Sequence, residues 1–271
     1  MSPRPPLLRR PGCPLRWVVV SLCLGCAAPP GAPAELDELV RYLFREFEAQ
    51  EPEVLGEGLQ NLDALVADLD LSADLDERSW KLAPINADDL AGITYPDRSL
   101  SDCTTLALAY GSPWSPSAHT AYLILSDLSV LGTATSYQRS FLETEDPACF
   151  AEQSCDVLRT ENVITRESLL FSMSYRQRKD YRWVVLPEGE WGILARGWLE
   201  ESAHGDADNN HMWQAYEVEV WLPTDRGTTR YYASYTEIDY AGISEEIGRS
   251  LGLQGAEDAM IAADEWLDAA R

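Results

Sequence analysis

The run Tyr216-Glu217-Val218-Glu219-Val220-Trp221-Leu222-Pro223-Thr224-Asp225-Arg226-Gly227-Thr228-Thr229-Arg230-Tyr231-Tyr232 reads as a strand, a turn and a second strand. Tyr216, Val218, Val220 and Leu222 alternate with Glu217, Glu219 and Trp221, the period of two that sends alternate side chains to opposite faces of a sheet. Turn-forming residues occupy 223–227, and residues 228–239 resume as a second run rich in Thr and Tyr. Towards the N-terminus, Leu169, Phe171, Met173 and Tyr175 alternate with Ser172, Ser174 and Arg176. Residues 181–186 and 190–199 read as two further strands, separated by Pro187-Glu188-Gly189. Towards the C-terminus, residues 243–253 and 256–270 return to helical spacing, the second with Met260, Ala263 and Leu267 on one side. The pattern predicts an antiparallel meander followed by C-terminal helix.

Residues 103–110 predict an earlier strand, and Gly111-Ser112-Pro113-Trp114-Ser115-Pro116 breaks it. Residues 117–131 predict a helix capped by Ser117, with Ala121, Ile124, Leu125, Leu128 and Leu131 along one side. Further upstream, Leu36, Leu39, Val40, Leu43, Phe44 and Phe47 fall at helical spacing within 35–50. Pro52 interrupts, and Leu55, Leu59, Leu62, Val66 and Leu69 repeat the pattern over 53–70. These two segments predict an amphipathic helical hairpin packed on another element. Its stripes are too short for a coiled-coil seam to be the preferred reading. An acidic stretch (Asp68, Asp70, Asp74, Asp76, Glu77) leads from it towards Pro84. The expected organisation is a hairpin and acidic linker at 35–97 and an α+β domain at 98–271.

The element order over 98–270 resembles the helix-grip fold of START and polyketide-cyclase-like proteins. Two stretches carry the resemblance locally. Residues 117–127, Ser-Ala-His-Thr-Ala-Tyr-Leu-Ile-Leu-Ser-Asp, are similar to that family's first helix. Residues 227–232 with Asp239, Gly242 and Ile243 are similar to its last strand running into the C-terminal helix. The resemblance implies a curved antiparallel sheet around a long C-terminal helix, enclosing an apolar cavity for a lipid, sterol or polyketide. The lead-in helices at 35–70 lie outside the family pattern.

The N-terminus reads as an address. Arg4, Arg9, Arg10 and Arg16 precede the apolar run Trp17-Val18-Val19-Val20-Ser21-Leu22-Cys23-Leu24-Gly25, which is followed by Cys26-Ala27-Ala28. A basic region, an apolar core and small residues form an export signal. The apolar run is far shorter than the roughly 20 residues that span a bilayer. Leu22-Cys23-Leu24-Gly25-Cys26-Ala27 resembles the lipobox of bacterial lipoproteins, which implies a signal peptide at 1–25, a lipidated Cys26 and a tether at 26–34. It departs from that pattern at Cys23, where Leu is usual. Ala27, in place of an Asp, implies sorting to the outer membrane of the cell envelope. Ordinary secretion or periplasmic release, cut after Ala32-Pro33-Ala34, is the rival reading. A twin-arginine route at Arg9-Arg10 fits poorly, because Pro-Gly-Cys follows.

Net charge is −24 over 271 residues. The first 25 residues hold four arginines and no acid, so the 246 after them carry −28. Such a surface repels nucleic acid and anionic headgroups, excluding a nucleic-acid partner and leaving the lipid anchor as the expected membrane contact. An acidic surface suited to a saline habitat is an equally good reading of that charge. Cys149-Phe-Ala-Glu-Gln-Ser-Cys155 closes a loop that a disulfide would staple in an oxidising compartment. Cys103 is then the unpaired thiol and reads as buried.

Chemical motifs are sparse. Counting from Asp206, Asp208 and Asn210 occupy positions 3 and 5 and Glu217 position 12 of an EF-hand calcium loop. His211 replaces the glycine needed at position 6, so an exposed acidic hairpin loop is the better reading. His204 and His211 with Asp206 or Asp208 form a still sparser zinc pattern. A Cys103–His119 dyad suffers from Asp102, whose charge disfavours the thiolate. There is no nucleophile elbow, phosphate loop or cofactor motif, so no cofactor is implied and no catalytic residue is identified. The aromatics of 183–235 fill a core or line a cavity. Three functions follow as expectations: an envelope lipoprotein holding an apolar ligand, a structural lipoprotein whose hairpin docks a partner, and an enzyme of cyclase or hydrolase type.

Overall fold

Period-two segments pair into one sheet in the computed structural model, which describes residues 31–167, 172–205, 210–239 and 244–271. The strands are β1 (Ser79–Trp80), β2 (Thr104–Ser112), β3 (Ser136–Leu142), β4 (Val157–Glu167), β5 (Ser172–Val185), β6 (Trp191–Trp198), β7 (Ala203–His204), β8 (His211–Thr224) and β9 (Gly227–Asp239). Their order is β1-β2-β9-β8-β6-β5-β4-β3, with β7 on β8, and every pairing is antiparallel. The helices are α1 (Leu36–Arg45), α2 (Pro52–Val66), α3 (Pro116–Leu123), α4 (Ala148–Ala151) and α5 (Glu245–Ala269). The sheet is curved around α5, and the α1–α2 hairpin precedes it. This is the α+β class expected from the sequence.

The hairpin covers the outer face. Leu39, Leu43 and Phe44 of α1 and Leu55, Leu59 and Leu62 of α2 share a core with Val218, Val220, Tyr231 and Tyr235. Each such side chain, once fully buried, contributes on the order of 1.5–3 kcal/mol. The apolar stripes therefore face this chain's own sheet. The inner face is covered by α3, α4 and α5, with Leu123, Phe150, Ala263 and Leu267 against Tyr181, Trp183, Ile193 and Trp221. A polar inlay crosses the outer core. Arg159 and Arg196 both bridge Glu48, after α1, to Asp180 of β5.

Several segments differ from the sequence expectation. The 117–131 helix ends at Leu123 and starts one turn residue earlier than expected, because Ser115 rather than Ser117 accepts the Ala118 N–H and Pro116 takes the first helical position. Its expected second half is a turn closed by the Asp127 carboxylate on Ser129. Residues 172–176 and 181–185 belong to one 14-residue strand, β5, since the charged run between them finds partners on both faces, and Leu186 lies just beyond it. The two C-terminal helices are one helix of 25 residues, begun by the Ser244 cap on Ile247 and running through Gly252 and Gly255. Strands β1, β3 and β4 were not legible. Leu169 and Phe171 lie outside the described residues. Cys149 and Cys155 are bonded, closing the loop that carries α4.

Two glycines respond oppositely to a methyl group. A Cβ on Gly56 would lie 2.6 Å from the Val185 carbonyl oxygen, where α2 seats directly on the backbone of β5. Gly255, exposed in α5, has nothing within 4 Å. Urea unfolding of Gly56→Ala is expected to show a loss of about 1–3 kcal/mol from overpacking. Gly255→Ala is expected to gain up to about 1 kcal/mol from helix propensity.

Candidate functional site

Odd-numbered positions of β8 and even-numbered positions of β9 face α5, so the inner face is set by Glu217, Glu219, Trp221, Arg230 and Tyr232. It is not a uniformly apolar floor. Lys179 of β5 reaches across β6 to Glu217 Oε1 at 3.0 Å and Glu219 Oε1 at 2.6 Å. The register explains the reach. Lys179 lies opposite Gly197, and Gly197 lies opposite Glu217, so a strand without a side chain separates the two charges. A Cβ on Gly197 would sit 2.5 Å from Glu217 Oε1. Gln177 and Tyr232 donate to the two oxygens of Glu217, completing its satisfaction.

Neighbouring groups extend the polar floor. Arg139 of β3 donates to Asn162, the Leu123 carbonyl and the Tyr181 hydroxyl. Asp264 of α5 accepts from Ser112 and Tyr110, tying the helix to β2. Next to these lies an apolar strip of Leu106, Leu108, Leu253 and Met260. Glu217 and Glu219 keep 13% and 17% of their side-chain surface exposed, and Tyr232 and Tyr175 are likewise not fully buried, so a little solvent reaches the ion pair. A separate cleft of about 130 Å³, lined by Pro52, Leu55, Asp156, Arg182, Trp183 and Trp191, opens between α2 and the end of β5.

Burial and charge act in opposition here. Burial works against the Lys179 ammonium, but Glu217 and Glu219 overcome it and hold the lysine well above its ordinary value. Burial likewise pushes the Glu219 carboxyl up, and Lys179 and Arg230 outweigh it, leaving the acid below its ordinary value. The Tyr232 phenol is raised, first by burial and then by Glu217. Asp264 is raised by burial in spite of its hydroxyl donors.

The sequence candidates fall apart spatially. Glu217 is committed to Lys179 on the inner face, while Asn210 is buried beside β7 and Asp206 and Asp208 lie outside the described residues. Among the described residues no group of three His, Cys, Asp or Glu side chains has metal-holding spacing. Cys103 packs in the outer core and burial pushes its thiol up to about 12. His119 is fully buried near Arg230 on the inner side, and burial and that charge lower it to about 2. The two are on opposite faces and form no dyad. Trp183, Trp221, Tyr181 and Tyr232 face inward, and Trp198, Tyr216, Tyr231 and Tyr235 outward. The Lys179 site itself escaped the sequence reading.

No family model and no curated protein sequence matches the chain. Among solved structures it is similar to a protein of Thermus thermophilus, at 15% identity over 60% of this chain and 97% of that one, with a TM-score of 0.40. It is similar to a STAR-related lipid transfer protein of Xanthomonas axonopodis at 9% identity, covering 64% of this chain and 91% of that one, with a TM-score of 0.43. The lipid transfer and protein localization domain of human StarD13 gives 16% identity, 61% and 77% coverage, and a TM-score of 0.38.

Removing the lysine strands two carboxylates in the interior. Lys179→Met is expected to lose about 3–5 kcal/mol in urea unfolding at neutral pH, and adding Glu219→Gln to recover part of it. Because the folded-state value of Glu219 is depressed, its contribution is full above the ordinary glutamate value of about 4.3 and is lost as pH falls through the lower folded value. Glu219→Gln should accordingly show a shallower acid-side loss of melting temperature than the parent. An unchanged acid limb would contradict the assignment.

Proposed function

We propose that this chain is an exported, lipid-anchored binding module that holds a small amphipathic molecule between the inner face of the sheet and α5. The carrying observation is the partly buried polar group Glu217, Glu219 and Tyr232, with Tyr232 packed against the apolar strip of Leu106, Leu108, Leu253 and Met260. An apolar body suits the strip, and a polar head suits the hydroxyls and the ion pair. The apolar ligand implied by resemblance is thereby narrowed to one with a hydrogen-bonding end. Binding and carriage, rather than catalysis, is the reading, since His119 is held neutral in the core and the buried acids are all paired with cations or hydroxyls.

Native mass spectrometry of the protein purified without detergent tests this. A co-purified small molecule of mixed polarity is the expected result, and its occupancy should fall in Tyr232→Phe. A bare mass, together with failure to bind fatty acids, sterols or monoacylglycerols, would remove the reading.

The anchor belongs to the same proposal. The lipobox-like Gly25-Cys26 step places the acylated residue nine positions before Glu35. One observation favours it over a cut after Ala34. Asn61 of α2 donates to the carbonyls of Ala32 and Pro33, and Ala32 packs on the outer core. Cleavage after Ala34 would discard residues that the fold holds. The expected localisation is the bacterial cell envelope, at the outer membrane, attached by two or more acyl chains. Expressed in a Gram-negative host, the chain should incorporate labelled palmitate, and Cys26→Ser should abolish it. A mature N-terminus at Glu35 would overturn the anchor and leave the binding reading standing.

A further inference from the structure

We propose that His204 and His211 form a chelating site for a divalent copper ion, independent of the inner-face ligand. The two histidines are register partners on β7 and β8. Their Nδ1 atoms share a hydrogen bond of 2.8 Å, with the rings nearly perpendicular at 81°, and a metal ion would take the place of the shared proton. Two nitrogens at cis positions of a tetragonal ion, each about 2.0 Å from the metal and 90° apart, are separated by about 2.8 Å, whereas a tetrahedral ion opens the pair to about 3.3 Å. The two rings are thus already close enough for cis coordination of a tetragonal Cu(II) ion.

The surroundings add to the selection. Asp239 is the register partner of His211 on the next strand and adds negative charge near the pair without standing at ligand distance. Its Oδ2 accepts the Trp213 indole N–H at 2.8 Å. Trp213 lies against the His211 ring, centroids 4.5 Å apart and tilted by 34°, and fixes that imidazole in place. Arg98 caps the far side of Trp213 at 4.7 Å, and its charge is taken up by Glu237. His204 is exposed, so the two-histidine chelate would be open to solvent on that side. Only three histidines occur in the chain, and the third, His119, is 0% exposed. Imidazole-dependent copper binding can arise nowhere else in the folded protein.

Titration of the untagged chain with copper sulfate, read by tryptophan fluorescence and by electron paramagnetic resonance, tests the site. One equivalent should saturate the quenching, because Trp213 lies within one ring of the metal, and the spectrum should show imidazole nitrogen coupling. His204→Gln changes an exposed side chain and should weaken Kd at least about tenfold, since one of two chelating nitrogens is lost. Zinc should compete weakly. Unchanged copper affinity in the His204→Gln/His211→Gln double variant would overturn the proposal, as would a wild-type spectrum lacking nitrogen coupling, a readout that does not depend on any variant folding.

Discussion

The central hairpin of this protein, β8 and β9, is buried on both faces, and that constraint governs the rest. An antiparallel sheet commonly leaves one face to water, and its strands then need only one apolar side. Here α1 and α2 cover one face and α3 and α5 the other, from opposite ends of the chain. Every polar side chain on the hairpin must find a partner inside the protein or keep a path to solvent, because an unpaired buried charge is costly. Glu217 and Glu219 do both. Lys179 reaches them over Gly197, and both acids keep partial exposure. The missing side chain at Gly197 is the condition for that pairing, so the identity of one residue on β6 follows from charges on the strands either side of it.

The same constraint explains what was legible. On the outer face the apolar set Tyr216, Val218, Val220 and Leu222 alternates cleanly, and the hairpin it defines is where the alternation pointed. On the inner face, polar residues take positions that a simple core would fill with leucine. Thr160 and Asn162 of β4 are buried, yet they erase the apolar period that would have identified that strand. Residues 176–180 of β5 carry four charges in five positions, so the alternation seemed to stop in the middle of a strand. Gly252 and Gly255 made α5 look like two helices, although Gly252 lies where a Cβ would meet Leu106 at 2.7 Å, a close contact with β2. The Lys179 site was hidden for a related reason. Its members come from strands separated by others in the sheet, and only the register brings them together.

The N-terminal hairpin changes what the sheet can do. With its outer face locked by Leu39, Leu43, Leu59 and Leu62, and pinned by Glu48 through Arg159 and Arg196, the sheet is held as a stiff curved plate. Adjustment to a ligand then falls to elements on the inner side. Of these, α5 is anchored near its C-terminal half by Asp264, Ala263 and Leu267, while Ile247 and Leu251 near its start are about half exposed. Local stability should be lowest where buried apolar contacts are fewest, which places the movable part of the grip at the beginning of α5.

The charges of the inner face also restrict what a ligand can be. Lys179 is paired with Glu217 and Glu219, Arg230 and Arg139 add charge nearby, Asp264 is held by hydroxyls, and Arg166 stands near Tyr175 and Glu217. A group that displaced Lys179 from Glu217 and Glu219, or that added an uncompensated charge beside them, would meet a large cost in a medium of low dielectric. A neutral molecule with hydroxyl or carbonyl groups meets neither penalty. It can bond the phenols of Tyr175 and Tyr232 while its apolar body lies along Leu106, Leu253 and Met260.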